Sequence, residues 1–250
     1  MIPKIIHYIW FGSKPYTKII QKCINSWKSF LPEYEIMLWN EDTFDISSCQ
    51  FVKESYELGK YAFVSDYVRF FVLDKYGGIY LDTDVEFLKE LDEKILENEC
   101  VLALDDLGYL SGSTIMSENS NIFIKDCKKI YEDMPFINSD GSINNDVINT
   151  HMQNILIPFG YDVKNEFQNL NYKNSKIIIY PDEYFHCRSQ VSGKLNKTSS
   201  TYAIHWHTIT WTSYKTRLVE FLRINLLVPI LGKKTYRNLT KKIKKGKTYI

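Results

Sequence analysis

The stretch Tyr76-Gly-Gly-Ile-Tyr-Leu-Asp-Thr-Asp-Val-Glu86 ends an apolar run in two carboxylates one residue apart, Asp82 and Asp84. Read as a short buried strand stopping in Asp-Thr-Asp, it sets two acids at a strand's carboxyl end. There they are expected to face solvent rather than pack in the core. Carboxylates so placed suit a hard divalent cation, because Mg²⁺ and Mn²⁺ take oxygen ligands and keep positions open for the phosphates of a nucleoside diphosphate. The spacing alone is common, so its surroundings decide.

Immediately upstream, Lys60 to Tyr76 reads as a helix, with Phe63, Val64, Tyr67, Phe70 and Phe71 at helical spacing. Gly77-Gly78 should stop it where an αL residue is wanted. Asp66 and Arg69 lie three apart and share one face of that helix. Alone, they would read as an ordinary intrahelical ion pair. Further out, Lys4 to Trp10, Glu35 to Trp39, Ile79 to Asp82, Cys100 to Leu104, Lys176 to Tyr180 and Tyr202 to Trp206 read as short buried strands. Helical patterns near Thr17 to Phe30, Lys53 to Tyr76, Ile122 to Asp133 and Asn144 to Asn154 separate most of them. That alternation predicts an α/β sheet with helices on both faces, and in such sheets ligands sit beyond the carboxyl ends of the strands. Trp10 and the Asp82/Asp84 pair are both at such ends.

The order Ser65-Asp66-x-x-Arg69, then Gly77-Gly78-Ile79-Tyr80-x-Asp82-x-Asp84, resembles the Asp-x-Asp sugar-binding region of nucleotide-sugar glycosyltransferases. The likeness is to the family of the yeast Golgi initiating mannosyltransferase and of many bacterial capsule and cell-surface transferases, and more distantly to toxin glucosyltransferases. The opening Ile2-Pro-Lys-Ile-Ile-His-Tyr-Ile-Trp-Phe-Gly12, the segment from Cys23 to Trp39 and the late His205-Trp-His-Thr-Ile-Thr-Trp211 resemble further family segments in the same order.

The resemblance implies a GT-A-type nucleotide-sugar-binding fold with a mixed, mostly parallel sheet over residues 1–215, followed by an apolar and basic extension over 216–250. It implies that Trp10, beside Ile9, stacks on a uracil ring; a buried strand-end aromatic is the rival reading. Asp66 and Arg69 would grip donor sugar hydroxyls and phosphates, with Tyr80, Asp82, Thr210 and Trp211 also on the donor. Asp84 would be the direct metal ligand, Asp82 would turn toward the metal, and His205, or less favourably His207, would complete the site. A lone strand histidine is otherwise a hydrogen-bonded core residue. An imidazole ligand favours Mn²⁺ over Mg²⁺. Asp105 and Asp106 occupy the region where the family places an acid before the acceptor pocket. Leu110-Ser-Gly-Ser-Thr-Ile-Met116 departs from the Asn-rich form of many relatives, which leaves acceptor choice open. Relatives retain anomeric configuration, and no nucleophile is identified here.

With 250 residues, 44% of them hydrophobic, and a formal net charge of +1, the chain can bury a full core, and no nucleic-acid partner is indicated. Five widely spaced cysteines, without Cys-x-x-Cys, suggest neither zinc nor a disulfide framework and suit a reducing cytosol. No signal peptide is read at the amino terminus, and no run is long enough to span a membrane. Between Lys233 and Lys247 lie eight Lys or Arg and no acid, after the apolar stretch Leu222 to Leu231. This reads either as a peripheral anchor on anionic lipid at the inner face of the cell membrane or as a solvated basic tail. The expected partners are a nucleotide sugar, with a UDP-hexose favoured, and a glycan or lipid-linked acceptor. Two other classes compete: a haloacid-dehalogenase-like phosphatase, whose nucleophile is the first acid of an Asp-x-Asp, and a non-catalytic membrane-surface protein.

Overall fold

A computed structural model describes residues 1–208, together with 219, 222, 228–232 and 235. The chain runs through β1 (Ile5–Ile9), α1 (Lys18–Phe30), β2 (Glu35–Trp39), α2 (Gln50–Glu57), α3 (Tyr61–Tyr76), β3 (Gly78–Leu81) and β4 (Val85–Phe87). It continues through α4 (Glu93–Leu96), β5 (Cys100–Leu104), β6 (Leu110–Ser117), α5 (Ile122–Asp133), α6 (Ile148–Leu156), β7 (Gln168–Tyr172), β8 (Ser175–Tyr180), α7 (Asp182–Phe185) and β9 (Ala203–His205).

Seven strands form one sheet in the order β2-β1-β3-β6-β5-β8-β7, and β4 pairs with β9 in a separate ribbon. β2, β1 and β3 are parallel, β6 is antiparallel to both β3 and β5, β8 is parallel to β5, and β7 runs against β8. All but β6 and β7 therefore point one way, the mixed and mostly parallel arrangement expected. The carboxyl ends of β1, β3, β5 and β8 share one edge. One face is covered by α2, α3, α5 and α6 through Phe51, Val68, Phe70, Leu73, Tyr131 and Met152; the other by α1, α4, α7 and the ribbon through Trp27, Phe87, Leu96 and Phe185. Burial on both faces explains why β3 and β5 read as unbroken apolar runs.

Local chemistry fixes the path into the acids. Gly77 caps α3 with φ 65 and ψ −162, so its φ is left-handed as expected while its ψ is extended, a region open to glycine. A Cβ on Gly77 would lie 2.6 Å from the Asn119 amide nitrogen, and one on Gly78 2.6 Å from the Ile5 carbonyl oxygen. Only a glycine pair lets α3 turn directly into β3 hard against β1. His7 locks this turn: its Nε2 donates to the Gly77 carbonyl at 2.8 Å and its Nδ1 accepts from the Trp39 indole at 3.1 Å. Burial pushes its pKa down to about 4, so the ring is neutral.

Three expectations need correction. The pattern from Lys53 to Tyr76 is two helices, because Gly59 takes φ 66 and the Lys60 amide turns back to the Ser55 carbonyl at 2.8 Å. The pattern from Asn144 to Asn154 becomes helical only at Ile148. β6, fully buried beside β3, was not expected as a strand. Among the described residues no helix is long and apolar enough to cross a membrane.

Candidate active site

Asp82, Thr83 and Asp84 form the turn between β3 and β4. The Asp82 amide donates to Ser113 of β6 at 2.8 Å and the Val85 amide to the Asp82 carbonyl at 3.0 Å, which turns the chain out of the sheet. β4 then pairs with β9, with Val85 opposite His205, so the late histidine segment meets the acids through strand register.

Asp84 is not the solvent-facing acid expected at a strand end; it is buried, with only 6% exposure. Its Oδ1 lies 3.2 Å from His205 Nε2, and its Oδ2 accepts from the Thr208 amide at 2.6 Å and the Thr208 hydroxyl at 2.8 Å. Burial opposes its charge, but His205 and the two Thr208 donors outweigh it and hold the carboxyl below the usual range. The same acids, working against burial, raise His205. Asp82 is more open; its Oδ1 accepts from Tyr80 Oη at 2.6 Å and its Oδ2 lies 4.0 Å from His205 Nε2.

Among the described residues, Asp82, Asp84 and His205 each bring one ligand atom within 4.8 Å of the others. Two carboxylate oxygens and one imidazole nitrogen are a donor set suited to Mn²⁺, and His205 Nδ1 is buried without a partner, so the ring is not fully engaged within the protein. The residues fit a divalent ion. His207 is not among the three that converge. Its Nε2 donates to the Arg188 carbonyl at 3.1 Å and its ring packs 4.0 Å from that of His205. Burial and the neighbouring His205 keep it neutral, with its pKa lowered to about 2.

Asp66 and Arg69 are both buried, unlike a solvated helix pair, and are joined at 2.7 Å. Burial pushes the Asp66 carboxyl up to about 7 against the pull of Arg69. Trp10 stands half-buried where β1 ends, its indole nitrogen donating to the Lys14 carbonyl at 2.7 Å and its ring edge-on to Tyr16 at 5.3 Å. The Ile9 side chain is buried in the core on the α3 face, so any donor contact from it falls to its backbone. Thr210 and Trp211 lie outside the described residues.

Asp105 and Asp106 stand at the same edge but are engaged elsewhere. Asp105 accepts from the Leu107 and Tyr109 amides at 2.8 and 2.9 Å and closes the β5–β6 turn, while burial raises its pKa to about 6. Asp106 accepts from the Ser189 hydroxyl at 2.5 Å and the Gln190 amide at 3.2 Å.

Sequence reading missed the supporting groups. Thr208 holds Asp84. Gly112 of β6 offers its carbonyl to Arg69 at 2.6 Å. Ser113 donates to His186 Nε2 at 2.8 Å while His186 Nδ1 donates to the Leu104 carbonyl at 2.9 Å, tying β6 to the loop behind His205. Only the departure of Leu110 to Met116 from the Asn-rich pattern pointed toward Gly112.

The fold and site together define a protein with two acids and a histidine gathered at the carboxyl-terminal edge of the parallel strands of an α/β sheet. Residues 17–102 match the glycosyltransferase sugar-binding region containing the DXD motif, and Asp82-Thr83-Asp84 lies within the matched stretch. Inositol phosphoceramide mannosyltransferase 3 of Schizosaccharomyces pombe is 37% identical over 98 residues, 36% of this chain and 26% of that protein. Mannosyl phosphorylinositol ceramide synthase CSH1 of Saccharomyces cerevisiae is 33% identical over 103 residues, 37% of this chain and 25% of its own length. The match thus spans about a quarter of these relatives. Among solved structures, a glycosyltransferase involved in glycosylation of the major capsid of PBCV-1 superposes with TM-score 0.46 at 8% identity, covering 82% of this chain and 95% of that one. The PaToxG glycosyltransferase gives 0.45 at 18% identity, covering 65% and 73%.

Proposed function

We propose that this chain is a metal-dependent glycosyltransferase that moves a hexose from a nucleotide sugar, UDP-linked by preference, to a glycan or lipid-linked acceptor, with retention of configuration. The observation that carries this reading is the convergence of Asp82, Asp84 and His205 within and beside the matched region. Cleavage of the bond from anomeric carbon to phosphate leaves a nucleoside diphosphate with growing negative charge. Asp82, Asp84 and His205 would hold a divalent ion, which would supply neutralisation of that charge without proton transfer, an effect of several kcal/mol. The chain's own groups do the rest: Trp10 offers a ring face to the base and Asp66 an acceptor oxygen to donor hydroxyls.

The phosphatase reading is not favoured. The acid that would be its nucleophile, Asp82, is tied to Tyr80, and the motif follows β1, α1, β2, α2 and α3 rather than opening the chain. A lipid-linked acceptor is supported by the names of the two yeast relatives, which concern ceramide lipids. The exposed Val219, Leu222, Ile230 and Leu231 support contact of the carboxyl-terminal extension with the inner face of the membrane. The basic run from 233 to 247 lies outside the described residues, save residue 235.

A panel of UDP- and GDP-hexoses tested for Mn²⁺-dependent hydrolysis checks the reading. Release of nucleoside diphosphate and free sugar, abolished by chelation, is the expected result. Release of inorganic phosphate from phosphomonoesters instead, or no turnover with any donor, contradicts it.

A further inference from the structure

Arg69 donates four hydrogen bonds within the protein itself and faces a further carboxylate at ion-pair distance. Nε reaches the Ser65 carbonyl at 3.1 Å; Nη1 reaches the Gly112 carbonyl at 2.6 Å and faces Asp82 Oδ1 at 3.6 Å; Nη2 reaches the Ser65 hydroxyl at 3.1 Å and Asp66 Oδ1 at 2.7 Å. The Tyr80 ring closes one face of the guanidinium at 4.5 Å, and the Tyr80 hydroxyl goes on to Asp82 Oδ1. Side-chain exposure rises from 5% at Arg69 to 13% at Asp66 and 31% at Asp82. An arginine that clamps a diphosphate presents a free planar fork to it. Here the fork is engaged by the protein and is less exposed than either acid, Asp82 being the more open of the two.

The seat is built for this. A Cβ on Gly112 would stand 2.8 Å from Arg69 Nη1 and 2.9 Å from the Ile148 side chain, so the glycine in Leu110 to Met116 is what lets the guanidinium lie against β6. The same glycine donates its amide to Asn149 of α6 at 3.2 Å, which fixes the carbonyl's direction.

We propose that Arg69, seated on the Gly112 carbonyl, is a positioning residue that holds Asp66 and Asp82 in a common register for donor and metal, and is not itself a diphosphate ligand. The proposal rests on the glycosyltransferase reading and names how that site is held. Removing the engaged fork frees the Asp82 carboxylate to rotate away from Asp84 and His205, so metal affinity falls before any nucleotide is present.

Titration of the full-length chain with Mn²⁺, followed by electron paramagnetic resonance without nucleotide, tests this in Arg69→Lys, Gly112→Ala and Tyr80→Phe. Arg69→Lys keeps the charge and loses the fork; Gly112→Ala keeps the fork and displaces it; Tyr80→Phe removes only the hydroxyl on Asp82. Each is expected to weaken Mn²⁺ binding by about 10–100-fold, the range for groups that orient metal ligands. UDP affinity at saturating Mn²⁺ should be unchanged. Arg69→Lys with wild-type Mn²⁺ affinity and weakened UDP binding makes Arg69 a direct diphosphate ligand and overturns the proposal. If circular dichroism shows the first two variants unfolded, Tyr80→Phe decides, and wild-type Mn²⁺ affinity in it overturns the proposal. A wild-type chain that binds no Mn²⁺ fails at an earlier point, sinking the metal reading and this inference together.

Discussion

Residues 1–104 and residues 105–208 contribute differently to one site. The first part brings the charges: Asp66 and Arg69 on α3, Asp82 and Asp84 after β3, with Trp10 at the end of β1. The second part brings one side chain that converges on the two acids, His205, and otherwise groups that hold: the Gly112 carbonyl, the Ser113 carbonyl, and the amide and hydroxyl of Thr208. A charged side chain at a strand end is selected for what it does to a ligand. Its supports need only a backbone atom or a small hydroxyl at the right place, and many residue types can supply those.

The comparison is most sharply tested at Asp84. Asp84→Ala is expected to lower donor hydrolysis on the order of a thousandfold, the equivalent of about 4 kcal/mol of lost charge stabilisation. Because Thr208 would lose its acceptor, the melting temperature should fall as well, and near-wild-type turnover with Mn²⁺ and donor saturating contradicts the role. Next in size, His205→Ala is expected to weaken Mn²⁺ binding by about 10–100-fold. His207→Ala should weaken it less, since that ring packs on His205 without joining the three converging groups. Equal losses in the two variants would break the distinction.

Trp10→Ala is expected to weaken UDP binding by about 1–3 kcal/mol, the scale of base stacking on an aromatic ring. Trp10→Phe should recover part of that loss. Calorimetry showing normal UDP affinity in both returns Trp10 to a packing role with Tyr16.

The last expected effect is on stability rather than on binding or turnover and lies away from the chemistry, at His7. Its folded pKa, near 4, is below the ordinary 6.5 of an unfolded chain. Stability is therefore full above pH 6.5 and falls as the unfolded state takes up a proton that the folded ring refuses until near pH 4. At about 1.4 kcal/mol per pH unit the loss across that window is on the order of 3 kcal/mol. His7→Gln, able to donate to Gly77 and accept from Trp39, should flatten the decline in melting temperature between pH 6.5 and 4. An equally steep decline in that variant would show that other groups set it.

Legibility followed the same division. β2 and β5 were read to the residue because Glu35 to Trp39 and Cys100 to Leu104 are short apolar runs with clear ends, and α5 because its apolar spacing begins just after the Asn121 cap. β6 was not, because Leu110-Ser-Gly-Ser-Thr carries the small polar residues of a loop; the Ser111 and Ser113 hydroxyls are satisfied by one another and by His186, which sequence periodicity cannot show. The acids were legible as a motif, but not their burial. Asp84 looked like a solvent-facing strand end because the residues that cover it, His205 and Thr208, stand more than a hundred positions later and arrive through the pairing of β4 with β9.

The most direct test of the account is a crystal of the full-length chain grown with Mn²⁺ and UDP, with diffraction recorded at the manganese edge. An anomalous peak bounded by Asp82, Asp84 and His205, with the uracil ring against Trp10, is the predicted result. A peak bound elsewhere while UDP occupies the edge, or UDP bound with no peak at all, contradicts it.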